Sequence, residues 1–288
     1  MTYAKLIEEW NDLLSRRPTF REPLAPYGPL LESWARWSDD WLAPLRWSAK
    51  DCEDRWGRGV PLLSEASLSI QPENIEDLAD SALEFLLAVG EPEEPLRRFA
   101  EAWDAGEAGP QALFPARGRI GARSLEEGLG LSQQILSFLA CVTLRPALEA
   151  YFAECRSRLT DSEWSLGICP FCGAPPGFGD VTENGQRRLA CHTCGGGWVF
   201  PRLACPFCGH QGAQDLVRLE AEEREEGYFI SACKQCRAYV KELDRRVRWN
   251  AQSALIEDWG SPHFDLVASR AGYWRPLPSL IQLARRAL

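Results

Sequence analysis

Four C-x-x-C pairs crowd one stretch of the chain: Cys169-Pro-Phe-Cys172, Cys191-His-Thr-Cys194, Cys205-Pro-Phe-Cys208 and Cys233-Lys-Gln-Cys236. No other feature restricts the fold as much. Glycine follows the first three pairs, and CPFCG occurs twice. In a C-x-x-C-G turn the two sulfurs converge on one ion while backbone N–H groups point at them, and the glycine supplies the backbone freedom that the tight turn needs.

The spacing sets an expected pairing. Eighteen residues separate Cys172 from Cys191, which fits a tetrathiolate template directly, and 24 separate Cys208 from Cys233. The longer spacer contains the polar run Glu220 to Gly227, which can extend a hairpin without touching the metal. Sequential pairing is therefore expected, with Cys169, Cys172, Cys191 and Cys194 as site one and Cys205, Cys208, Cys233 and Cys236 as site two. A redox dithiol would need its C-x-x-C at a helix start in a βαβ context, which surrounds none of the four pairs. A closed tetrathiolate site leaves no position open for substrate. Zinc and a rubredoxin-like single iron both accept tetrahedral sulfur, and on residue chemistry alone zinc is favoured.

The rest of the chain supports a globular protein. Of 288 residues, 45% are hydrophobic and 12 are tryptophan, enough apolar area for a real core. Eleven cysteines do not then indicate a disulfide scaffold, a device of small chains that lack a core, and a reducing cytoplasm fits better. The start MTYAKLIEEWNDLL has neither the basic beginning nor the apolar run of a secretory signal. The uncharged stretch from Gly128 to Leu144 contains Ser132, Gln133, Gln134 and Ser137 and reads as a buried helix, so no membrane insertion is expected. Net charge is −9, yet Cys169 to Asn250 holds 11 basic and 10 acidic residues, so the cysteine region is nearly neutral. A chain this acidic lacks the footprint of a general nucleic-acid binder.

These signals give an α+β chain: a helical domain over 1–166, a first tetrathiolate metal module over 167–200, a second over 201–248 and a C-terminal helical tail over 249–288. Ile75, Leu78, Ala82, Phe85 and Leu86 recur at helical spacing, with Gly90 and Pro92 as the stop. Ser124 and Glu127 have capping-box spacing, which predicts a helix from there toward Leu144 that Pro146 bends or interrupts, and a further helix from Ala147 to Arg158. Trp34, Trp37, Trp41 and Trp47 read as core packing. Trp198-Val-Phe and Tyr228-Phe-Ile are expected strands, and Leu255, Ile256, Leu266 and Val267 mark helix again, ending near Gly272.

Other reactive residues are read blandly. His192 and His210 lie in or beside knuckles whose four cysteines already complete a ligand set. Gly195-Gly196-Gly197 lacks the Lys-Ser/Thr of a phosphate loop. Cys52, Cys141 and Cys155 are expected as buried apolar residues, and His263 as a lone histidine. No Ser/His/Asp or paired-carboxylate set can be assembled, so catalysis has no positive support.

The order CPFCGAPP, LACHTCGGGWVFPRLACPFCG, ACKQCRAYVKELDR and FDLVASRAGYWRP resembles the FdhE family, the formate dehydrogenase accessory proteins. The resemblance runs from Cys169 to about Pro276 and includes Trp198, Tyr239 and Lys241; the helical first half agrees only in type. It implies a cytoplasmic maturation factor that binds the catalytic subunit of a molybdenum or tungsten formate dehydrogenase. It also implies two iron ions in rubredoxin-like four-cysteine sites, with all eight knuckle cysteines as ligands. The run Gly195-Gly196-Gly197 is a local departure that bears on the turn after Cys194. Around the fourth knuckle, Lys234, Arg237, Lys241, Arg245 and Arg246 are expected to form a mildly basic face for docking the client. The competing readings are a rubredoxin-type electron carrier and a zinc-ribbon protein or nucleic-acid adaptor.

Overall fold

The computed structural model describes residues 3–38, 40, 47–63, 68–161, 163–221, 225–277 and 279. The helical half follows from apolar residues spaced three and four apart. Helix α1 (Tyr3–Arg16) buries Leu6, Trp10 and Leu13, and after the single turn of α2 (Arg21–Leu24), α3 (Tyr27–Arg36) buries Tyr27, Leu30, Leu31 and Trp34. Helix α4 (Ala49–Trp56) starts where the Ser48 hydroxyl accepts the Asp51 N–H, and turns Cys52 and Trp56 inward. Helix α5 (Glu76–Ala88) buries Leu78, Ala82, Phe85 and Leu86, the face its spacing predicts, and α6 (Glu93–Asp104) buries Leu96, Phe99 and Trp103. Trp34 is core and Trp37 and Trp47 are partly buried against it, whereas Trp41 is outside the described residues.

The region after Ser124 departs from expectation. Helix α7 (Arg123–Leu129) is stopped by Gly130 at φ 72°, and a new helix, α8 (Gln133–Tyr151), begins at Ser132, whose hydroxyl accepts the Ile135 N–H. The capping box does not start the long helix. Nor does Pro146 end it. Proline cannot bond the carbonyl four residues back, and that carbonyl, on Val142, instead accepts the indole N–H of Trp34 at 2.8 Å. With its orphan acceptor satisfied, α8 continues through the proline to Tyr151, and residues Arg156–Arg158 form only a 3-10 turn rather than the end of a separate helix.

A small hairpin, β1 (Pro115–Ala116) with β2 (Arg119–Ile120), precedes α7. The cysteine region contributes β3 (Phe178–Val181), β4 (Arg187–Ala190), β5 (Gly197–Val199), β6 (Leu216–Leu219), β7 (Tyr228–Cys233) and β8 (Tyr239–Asp244). They form one sheet in the order β5-β4-β3-β8-β7-β6. Each knuckle pair belongs to an antiparallel three-stranded meander, and the meanders join edge to edge through the parallel pair β3 and β8, with Phe178 opposite Lys241 and Val181 opposite Asp244. Each meander thereby covers an edge of the other.

Helices α9 (Ala254–Trp259) and α10 (Pro262–Arg270) return across this sheet, α9 against β3 and α1, and α10 against β7. One apolar cluster runs from α1 through α8 into the first meander, taking in Phe171, Trp198, Ile256 and Trp259. A smaller one under the second meander joins Phe178, Tyr228, Ile230, Tyr239, Leu243 and Phe264. Among the described residues no helix is long and apolar enough to cross a membrane.

Candidate metal centres

All four knuckles repeat one backbone pattern. The first cysteine accepts, at its carbonyl, the N–H of the residue four positions on: Gly173 to Cys169, Gly195 to Cys191, Gly209 to Cys205 and Arg237 to Cys233, at 2.9 to 3.0 Å. The first cysteine's own N–H donates one residue further, to Ala174, Gly196, His210 and Ala238. The residue after the second cysteine must then adopt positive φ, which is 79° at Gly173, 68° at Gly195 and 74° at Gly209. The turn after Cys194 is thus regular despite its run of glycines. The fourth knuckle puts Arg237 there at φ 61°, a conformation that a side chain disfavours.

The sulfurs gather as the spacing predicts. Cys169, Cys172, Cys191 and Cys194 form one set and Cys205, Cys208, Cys233 and Cys236 another, with the sulfurs of each within 4.8 Å of one another. Cys169 to Cys194 and Cys172 to Cys191 are both 3.5 Å apart, while Cys205 to Cys236 is 3.6 Å and Cys208 to Cys233 is 3.8 Å. A tetrahedron with metal–sulfur bonds of about 2.3 Å has edges of about 3.8 Å, so either cage fits one ion. Burial pushes the thiols of Cys169 and Cys172 well up. It acts on Cys191 too, but hydrogen bonds from Cys169, Cys172 and Cys194 outweigh it and hold that thiol well below its ordinary range. Four sulfurs gathered in a dry cage are a donor set suited to a cation.

The helical half grips the first set. Leu62 N–H and the Trp56 indole both donate to Pro170 O at 3.1 Å, Leu63 N–H to Phe171 O at 2.7 Å, and Gly118 N–H to Gly173 O at 2.9 Å. On the other knuckle, Arg145 donates to His192 O at 2.7 Å and Arg156 to Cys194 O. All four cysteines are buried.

The second set opens outward, with Cys208 exposed and Cys236 half-buried. Its fourth knuckle is strapped by the chain after α10. Trp274 donates its N–H to Arg237 O at 2.9 Å and its indole N–H to Cys236 O at 3.0 Å, while Arg237 donates to Ala271 O and lies 4.1 Å from the Tyr273 ring centroid.

Neither histidine enters a sulfur set. His210 pairs with Asp215 at 2.8 Å, and His192 is buried with Nδ1 3.3 Å from Asp258. Cys52 and Cys155 are buried away from the sets, whereas the buried Cys141 thiol donates to His192 O at 3.3 Å inside the second knuckle; burial pushes all three thiols up, to about 12 for Cys141 and Cys155. His263 is not solitary: it stacks on Phe20 and pairs with Glu225 at 2.8 Å.

The expected basic docking face is only partly presented: Lys234, Arg237 and Arg246 are exposed, but Lys241 and Arg245 turn inward. Lys241 is 2% exposed and reaches Asp258, Asp265 and the carbonyl of Ser261. Arg245 binds Asp180 and the carbonyls of Ala251 and Gln252, Arg246 pairs with Asp244, and Arg237 is taken up by the strap. The C-terminal segment folds back with carboxylates and carbonyls that meet these cations, and the exposed Lys234 donates to Gln214 O at 2.9 Å. The residues that sequence reasoning missed are Asp258, Asp265 and Arg275, which close a buried ionic network between β8 and the C-terminal helices. Arg275 and Asp265 were visible within FDLVASRAGYWRP, but a charged residue in sequence carries no sign of its burial.

No protein-family model matches the chain. A protein FdhE homolog from Stutzerimonas stutzeri is 33% identical over 118 residues, 40% of this chain and 38% of that protein. Another, from Aquifex aeolicus, is 30% identical over 149 residues, 50% of this chain and 51% of that protein, and one from Pseudomonas aeruginosa is 26% identical over 196 residues, 58% and 62% of the two. The matched portions thus span about half the length of the curated relatives. The crystal structure of the FdhE protein from Pseudomonas aeruginosa shares the fold with a TM-score of 0.63 at 20% identity, over 97% of this chain and 95% of that one.

Proposed function

The chain belongs to the FdhE family, and from that premise we propose that it is a cytoplasmic accessory factor in formate dehydrogenase maturation. In this reading it binds the catalytic subunit and holds two rubredoxin-like four-cysteine centres. The ligands are Cys169, Cys172, Cys191 and Cys194 at one and Cys205, Cys208, Cys233 and Cys236 at the other. The observation that carries the proposal is the convergence of eight sulfurs into two four-sulfur sets joined by one sheet. An iron so held exchanges one electron, whereas a zinc is structural. Closed four-sulfur sets offer substrate no coordination position, which supports an accessory role over catalysis. Trp56, Arg145 and Arg156 fix the first cage through the knuckle carbonyls, and Trp274 fixes one side of the second.

Protein purified without air should carry two metal ions. A red product with two irons matches the family's rubredoxin-like type; a colourless product with two zincs assigns the centres to structure. Co-expressed catalytic subunit should be retained by the tagged chain, and its absence from the eluate would remove the partner from the proposal. A second reading, a rubredoxin-type electron carrier, draws on the exposure of Cys208 and requires a reversible iron wave in voltammetry. A nucleic-acid adaptor requires salt-dependent retention on a polyanion column, against which the charge of −9 stands.

A further inference from the structure

We infer that the two centres are unequal in kind: the second accepts an incoming thiol ligand in place of Cys208, while the first is sealed against exchange. The inference rests on the reading that both four-cysteine sets hold ions.

Burial separates the two first. The four sulfurs of the first set belong to residues no more than 1% exposed, inside the same apolar cluster as Trp56, Phe152 and Trp198. Cys172 borders a cavity lined by Val60, Pro61 and Phe114 but is itself only 1% exposed, and the other three sulfurs are reached only by opening that core. In the second set Cys208 is exposed and Cys236 half-buried, and Leu203, just before the third knuckle, is 60% exposed.

Fastening separates them next. Both knuckles of the first set are bonded by donors from distant parts of the chain, namely Trp56, Leu62, Leu63, Gly118, Arg145 and Arg156. In the second set the fourth knuckle has the strap around Trp274. The third is bonded through its base, where Arg187 donates to Ala204 O at 2.9 Å, Cys205 pairs with His210, and Gly212 N–H reaches Leu203 O. Pro206 rests on the bare backbone of Gly167. Cys208 and Gly209, the outer half of that knuckle, have no such donors on their carbonyls among the bonds between described residues. The mobile ligand is therefore Cys208, and its face is the one open to water.

The exchange balances without redox change. The incoming thiol forms one sulfur–metal bond, the Cys208 sulfur gives one up, and the thiol proton passes to the departing Cys208 thiolate. Total charge and oxidation state are preserved. The ligand class is a thiol, whether a small molecule or a cysteine side chain.

The test uses the two-ion protein, the chromophoric chelator 4-(2-pyridylazo)resorcinol and graded glutathione, followed by N-ethylmaleimide labelling and peptide mass spectrometry. One equivalent of metal should leave about 10- to 100-fold faster than the other, the range by which supporting contacts alter metal affinity. The fast rate should rise with glutathione, and Cys208 should label first. Without added thiol the Cys208→Ser chain should retain one ion, with Cys169, Cys172, Cys191 and Cys194 protected. Equal release of both ions, a fast phase indifferent to glutathione, or earlier labelling of the first set overturns the inference while leaving the metal reading intact. Protein that holds no metal when isolated overturns the metal reading itself and the inference with it.

Discussion

Lys241 holds its ammonium 2.8 Å from Oδ1 of Asp258, in a place where the two residues are 2% and 3% exposed. Asp265 meets the same ammonium at 2.8 Å, Arg275 grips both oxygens of Asp258 at 2.7 and 2.6 Å, and the Tyr239 hydroxyl donates to Asp265 at 2.6 Å. Two cations and two anions balance in a dry interior, so each charge depends on the others. Removing one cation strands a carboxylate. Lys241→Ala should cost about 3–5 kcal/mol, the usual cost of breaking a buried pair on one side, and a urea midpoint within error of the wild type would refute that. Lys241→Glu should fail to fold, because it places a third anion beside two.

The same network sets a pH dependence. Burial alone would raise the Asp258 carboxyl, but Arg275 and Lys241 outweigh it and hold the group below the usual carboxylate range. The folded state thus binds that proton less readily than the unfolded chain, in which an aspartate titrates near about 3.9. The stabilisation is complete above the unfolded value and is lost as pH falls through the folded one. The stability difference between wild type and Asp258→Asn should accordingly stay constant from pH 8 down to about 5 and shrink below about 4. Urea midpoints of both proteins across this range check it; a difference that grows toward acid would reverse the assignment.

The sulfur pairing was legible because ligand spacing is a local property: C-x-x-C fixes a turn, and the intervening lengths limit which turns can meet. The α5 face was legible for the same reason, since its periodicity lies within one helix. What could not be read were consequences of distant contacts. Pro146 looked like a helix break because the Trp34 indole that satisfies Val142 O comes from over a hundred residues away. Lys241 looked like surface because the carboxylates that neutralise it arrive from α9 and α10. Its strand neighbours alone would suggest a solvated hairpin.

Arg237 is the fourth knuckle's exception to glycine. A left-handed side-chain residue is disfavoured by roughly 1–2 kcal/mol, and its bonds to Ala271 and Gly272 with the Tyr273 stacking offset that cost. Arg237→Gly should remove both strain and strap contacts, leaving stability within about 1 kcal/mol of wild type and both ions in place. Arg237→Ala keeps the strain and loses the contacts, so it should be the less stable of the two. Thermal melts with metal analysis separate them, and an alanine variant more stable than the glycine one would discard the strain argument.

Cys172 tests whether the first cage stabilises only its own meander or the helical half as well. Its knuckle carbonyls take bonds from Trp56, Leu62 and Leu63, and its sulfur lies in the apolar cluster that also contains α4 and α8. A tetrathiolate ion contributes on the order of 10 kcal/mol to folding a small module, by analogy with zinc-finger peptides. Cys172→Ser removes one ligand and leaves three buried sulfurs around an incomplete shell, so the ion should be lost and the knuckle should open. Because Leu62, Leu63 and Gly118 would then lose their acceptors, unfolding should spread from the meander into α4 and α8. Far-ultraviolet circular dichroism should therefore show loss of helix as well as strand on mild heating, together with metal content falling from two ions to one. A melting curve and metal count unchanged from wild type would exclude Cys172 as a ligand, and loss of metal with the helical signal intact would show that the first cage supports its own meander alone.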